Sequence, residues 1–215
     1  MTEQIISQFP NQTKNKGSFT PSSYQEIINE KIEQIQNGTI APGDRLLIVV
    51  DSHGGQKKEN ELTHSISVSG TQLQNYSSLT GSMTVSLDQL QVLSKLAEEK
   101  GIKLGIIDLS CHSGNTLALA NSKTCVVSAS GPEHFAFSSK ESFANRFLAN
   151  LKRGRNLEEI FKLAHQEKYS GPDFPMISTP AGLKTNDQLY SLIKPYLFYE
   201  DKKSDKLRAF IEKGP

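Results

Sequence analysis

The chain has 215 residues, 36% of them hydrophobic and 22% charged, a balance that suits one soluble globular domain large enough to form a core without disulfides or metal. A net charge of +1, no Trp and no basic stripe argue against a nucleic-acid partner, and no apolar run approaches membrane-spanning length. Only two cysteines are present, Cys111 and Cys125, too few for a disulfide framework.

Residues Met1 to Thr20, rich in Asn, Gln, Lys and Ser, are expected to form a flexible leader, leaving 21–215 as a single domain. The start Met1-Thr2-Glu3-Gln4 lacks the basic and apolar stretches of a secretory signal, so the expected compartment is the cytoplasm. A helix is predicted next, because Tyr24, Ile27, Ile28, Ile32 and Ile35 recur at three- and four-residue steps, with Ser23 and Glu26 as a capping box and Gly38 as the stop. Leu46-Leu47-Ile48-Val49-Val50 reads as a strand covered on both faces. A polar excursion follows from Gln56 to Thr80, within which the alternation from His64 to Ser69 predicts a short hairpin strand. Ser86 and Gln89 then open a helix carrying Leu87, Leu90, Leu93, Leu96 and Ala97, which Gly101 closes. Lys103 to Ile107 and Cys125 to Ala129 are the next strands. Amphipathic helices are predicted from Ser139 to Lys152 and from Asn156 to His165, then a short Phe174-to-Ser178 run and a last helix near Asp187 to Ile193. This alternation points to an α/β fold, a mainly parallel sheet sandwiched between helices in three layers.

Two segments carry chemistry, Val49-Val50-Asp51-Ser52-His53-Gly54-Gly55 and Ile106-Ile107-Asp108-Leu109-Ser110-Cys111-His112-Ser113-Gly114. Each delivers a reactive residue just past a buried strand, at the sheet edge where α/β proteins bind ligands. A cysteine attacks as thiolate, so an imidazole that takes its proton and later returns it to the leaving amine supplies what the thiol lacks near neutrality. Attack on an amide creates an oxyanion, which each well-placed N–H stabilises by roughly 2.7–4 kcal/mol. The N–H groups of Gly54 and Cys111 are the expected donors. Cys125, inside an apolar run, reads as a small buried hydrophobe. The polar stretch after Cys111 suggests partial exposure, with His112 solvated or lining a groove. His64, His134 and His165 belong to no pattern, and no Cys or His spacing completes a zinc site.

The His53-Gly54 pair after one hydrophobic strand and Cys111 after another, 58 positions on (111−53), resemble the caspase, metacaspase and legumain superfamily of cysteine peptidases, clan CD. Cys111-His112-Ser113-Gly114 is closest to the metacaspase pattern, and the resemblance runs from about Tyr24 to about Ala164. It implies a caspase-like domain that hydrolyses peptide bonds without a cofactor and takes a peptide or protein substrate. By the same resemblance His53 is the general acid/base, Cys111 the nucleophile, Gly54 an oxyanion donor, and Ser128 part of a strand lining the substrate groove. The sequence departs from the family at Leu109, where members commonly carry a polar or acidic pocket residue, so specificity for Arg, Lys or Asp is not implied. Asp51 is the nearest acidic alternative for a substrate-binding role. No apolar run matching the family's first strands precedes Tyr24, so the front of the fold is expected to be missing or divergent, leaving the Leu46 strand at a sheet edge. Three functions remain open: a cysteine endopeptidase, an inactive caspase-like module that binds peptides or partners, and an amidase acting on a small amide.

Overall fold

The computed structural model describes residues 20–68, 84–137, 139, 142–152, 155–166 and 173–178. The expected leader before Thr20, the helix near Asp187 and the far part of the polar excursion lie outside the described residues. The first helix, α1, spans Pro21–Gln36 and buries Tyr24, Ile28 and Ile35. It begins earlier than its apolar stripe suggests, because Thr20 rather than Ser23 is the cap, with the side chains of Thr20 and Ser23 bonding each other's backbone N–H and Pro21 in the first turn.

Strand β1, Arg45–Val50, is followed by the short β2, Ser65–Ser67, within the stretch predicted as a strand, and by β3, Thr84–Ser86, which the sequence did not reveal and which pairs with β2 antiparallel. Ser86 caps a 3₁₀ turn that leads into α2, Leu90–Glu99. Strands β4, Lys103–Asp108, and β5, Thr124–Ser128, are separated by a 3₁₀ helix over Ser113–Leu119, which the sequence did not reveal. Helices α3, Phe143–Asn150, and α4, Leu157–Gln166, precede β6, Met176–Ser178.

The main sheet has the order β1-β4-β5-β6, with β1, β4 and β5 parallel and β6 antiparallel to β5. Side-chain alternation sends Leu104, Ile106 and Val126 to one face, where α1, α2 and the hairpin cover them. Ile107, Val127 and Ile177 go to the other, against Phe143, Phe147, Ile160 and Phe161 of α3 and α4. Two apolar layers on opposite sides of a mostly parallel sheet make this an α/β fold. Among the described residues β1 has no outer neighbour, as the sequence anticipated, and Leu47 is 38% exposed there. No helix among them is long and apolar enough to cross a membrane.

Candidate active site

The register between β1 and β4 sets the site. Val50 at the end of β1 pairs with Asp108 at the end of β4, so His53 and Cys111 each stand three positions beyond the same rung of the ladder. Gly54 then packs against the backbone of Cys111. A Cβ built on Gly54 would lie 2.8 Å from the carbonyl carbon of Cys111 and 3.0 Å from its amide nitrogen, an approach that only glycine permits.

Gly54 forms an isolated antiparallel bridge with Ile66, flanked by hydrogen bonds from Gly55 N–H to the Ser65 carbonyl at 2.8 Å and from Ser67 N–H to the His53 carbonyl at 2.9 Å. Gly54 thus occupies a non-hydrogen-bonded position, and its own N–H turns away from β2. Neither that N–H nor the N–H of Cys111 donates to an acceptor among the described residues. His53 is exposed and its imidazole makes no hydrogen bond there, whereas the half-buried Cys111 thiol donates to the Ala136 carbonyl at 3.8 Å. Cys125 offers a contrast, since burial, with nearby Glu158, pushes its thiol up to about 12 and leaves it an inert hydrophobe.

The segment after Cys111 is buried rather than solvated. His112 adopts a left-handed backbone, φ 61°, with its N–H on the His134 carbonyl at 2.8 Å and its Nδ1 on the Pro132 carbonyl at 3.1 Å. Its ring therefore holds structure together and does not line a groove. Ser113 and Ser130 exchange backbone-to-hydroxyl bonds at 3.2 and 3.0 Å, and Ser130 also donates to the Ser110 carbonyl at 3.2 Å. A Cβ on Gly114 would come within 2.5 Å of Pro132. These contacts bring loop 131–137 alongside the nucleophile, with Phe135 62% and Phe137 45% exposed.

Below Cys111, on the sheet face opposite Leu109, four fully buried side chains form a polar cluster. Asp108 accepts from the Ser110 N–H at 3.0 Å, the Ser110 hydroxyl at 2.6 Å and the Thr116 hydroxyl at 2.6 Å. His64 Nε2 lies 2.8 Å from Ser110 Oγ and 3.5 Å from Asp108 Oδ2, and its Nδ1 is 3.4 Å from Thr116 Oγ1. Burial holds His64 below the ordinary imidazole pKa of 6.5, outweighing the upward pull of Asp108, and so favours the neutral ring. His64 therefore belongs to the site that its sequence context did not assign it to. Its signal, a histidine in a serine-rich alternation, carries no information about a partner 46 positions away.

The remaining candidates are placed differently. Leu109 is buried among Phe143, Phe147 and Ala144, so it is core rather than pocket wall. Ser128 is fully buried and donates to the Met176 carbonyl at 3.3 Å, which removes it from the groove. Asp51 is exposed near His53 and takes no hydrogen bond from the described residues. A comparison with the models of known protein families finds no match, and a search among curated proteins finds none either.

Proposed function

We propose that this protein is a caspase-like cysteine endopeptidase in which His53 and Cys111 form the catalytic dyad. The observation that carries the reading is Gly54, whose backbone is packed on that of Cys111 while the N–H groups of both, at the carboxyl edge of the sheet, meet no acceptor among the described residues. Two such donors beside a half-buried thiol, with an exposed imidazole at the matching position of the next strand, are what acyl transfer from an amide requires.

Each residue then has a step. The thiol proton passes to His53 as Sγ bonds to the scissile carbonyl carbon, whose oxygen becomes an anion facing the Gly54 and Cys111 N–H groups. The carbonyl re-forms, the C–N bond breaks, and His53 protonates the departing amine. Water, deprotonated by His53, attacks the thioester, and the thiol leaves with the proton. A peptide lies across exposed Phe135 and Phe137 in this arrangement, which favours a polypeptide over a small amide. A second reading, an inactive module of the same fold that only binds peptides, is supported by the Cys111 thiol donating to the Ala136 carbonyl while the exposed His53 imidazole makes no hydrogen bond among the described residues.

Alkylation separates them. A peptidyl chloromethyl ketone should label Cys111 in the wild type and at least roughly 100-fold more slowly in His53→Ala. Equal labelling of the two would remove His53 from the chemistry. A positional-scanning peptide library then reads the pocket preference, and labelling without turnover of any peptide would leave the binding module.

A further inference from the structure

We propose that His64 and Ser110 are positioning residues that lock the nucleophile onto Gly54, an inference that rests on the peptidase reading. The hydrogen-bond directions fix the arrangement. At 2.6 Å the Ser110 hydroxyl hydrogen points to Asp108, so Ser110 Oγ is an acceptor toward His64, whose Nε2 at 2.8 Å carries the proton. Thr116 closes the other carboxylate oxygen at 2.6 Å. Although the residue types are those of a serine hydrolase triad, the serine donates to the carboxylate rather than to the imidazole and is fully buried, so it is not a second nucleophile.

What the cluster does follows from the segment His64 belongs to. Ser65 and Ser67, one and three positions on, hold the His53-Gly54-Gly55 turn through the two backbone hydrogen bonds of the Gly54–Ile66 bridge. His64 itself grips Ser110, the residue next to Cys111. A single short stretch therefore holds both halves of the dyad, the acid/base by main chain and the nucleophile by an imidazole. Asp88 fixes the base of that stretch, accepting from the N–H groups of Leu62 at 2.9 Å and Thr63 at 2.6 Å. Burying a carboxylate, an imidazole and two hydroxyls costs more than filling the same volume with aliphatic side chains, and a fixed geometry is what offsets that cost. The geometry it fixes is the approach of Gly54 to Cys111, on which both oxyanion donors depend.

The test uses His64→Leu, His64→Gln and Ser110→Ala in the full chain, with rates normalised to folded protein by circular dichroism and to titrated thiol. His64→Leu and Ser110→Ala should lose roughly 100-fold in kcat with KM within about threefold, as expected when reacting groups shift by an ångström. His64→Gln keeps an N–H donor at the ε position and should recover most of that loss. Should His64→Leu fail to fold, Ser110→Ala, which removes one oxygen, carries the test. Wild-type kcat in folded Ser110→Ala would overturn the positioning role while leaving the peptidase intact. If the wild type neither cleaves any library peptide nor reacts with a peptidyl ketone at Cys111, the peptidase reading falls and this role falls with it.

Discussion

Gly54 shows how much one missing methyl group can decide. In Gly54→Ala the new Cβ meets the peptide of Cys111, which is main chain and cannot rotate aside, so one of the two loops must move. Activity should fall below about 1% of wild type with a destabilisation of about 1–3 kcal/mol, measured by peptide turnover and urea unfolding. Gly55→Ala is the control, since its Cβ would stand 3.7 Å from the Ser65 carbonyl in ordinary contact, and it should retain both activity and stability. That His53, Gly54 and Cys111 stand at one edge of the sheet was legible in the sequence because each lies a few positions past an apolar strand, and strand ends are local features. His64 was not, because its meaning depends on Ser110, Asp108 and Thr116, which only the fold brings to it. Ser128 was placed in the groove by the family resemblance alone, and β6, which covers it, is equally a product of the fold.

Among the described residues, the strands and helices read from the chain recur with shifts at their ends, since hydrophobic periodicity is a local signal that packing preserves. The 3₁₀ helix over Ser113–Leu119 escaped because its burial rests on Ser113, Gly114 and Thr116, polar or small residues satisfied by Ser130, Asp108 and loop 131–137. That loop is held from several sides: the Gly131 N–H donates to the Asp173 carbonyl at 2.7 Å, and the Pro132 carbonyl accepts from Asn115 Nδ2 at 3.0 Å. Such anchoring keeps Phe135 and Phe137 exposed beside Cys111, where the proposed peptidase would meet its substrate. If a substrate covers them, Phe135→Ala and Phe137→Ala should each raise KM by roughly 10-fold, the worth of burying part of a phenyl ring, with kcat within about twofold. Steady-state kinetics on the best library peptide checks this. A fall in kcat with unchanged KM would place the peptide elsewhere. Leu109, by contrast, acts through α3 and not through substrate, so Leu109→Ala should destabilise the fold by about 2–5 kcal/mol.

At the scale of the whole molecule, burial displaces His64 and Asp173 in opposite directions, so that they act on stability in opposite senses. His64 has its pKa held below 6.5 by burial, so the unfolded chain binds its proton more readily and stability is lost as pH falls below about 6.5. Asp173 is the reverse case. Burial raises its carboxyl to about 7 despite the opposing backbone N–H groups of its own residue, Phe143 and Phe137. The folded state therefore holds the proton more tightly than the unfolded chain between about pH 4 and 7, and stability declines as pH rises through that window before levelling off above it. The two contributions oppose each other, and that of His165, whose pKa burial also lowers, runs with that of His64. Asp173→Asn removes the alkaline loss and leaves the acid loss of the histidines, so its stability should climb with pH between about pH 5 and 7 more steeply than that of the wild type. A carboxyl raised from 3.8 to about 7, at about 1.4 kcal/mol for each tenfold change in proton affinity, bounds the gain at about 4 kcal/mol at pH 8, with little difference from wild type near pH 4. Urea midpoints taken at half-unit intervals from pH 4 to 8 decide it. A constant offset between the two proteins at every pH would mean that the Asp173 carboxyl is ionised throughout and that the buried end of loop 131–137 tolerates its charge.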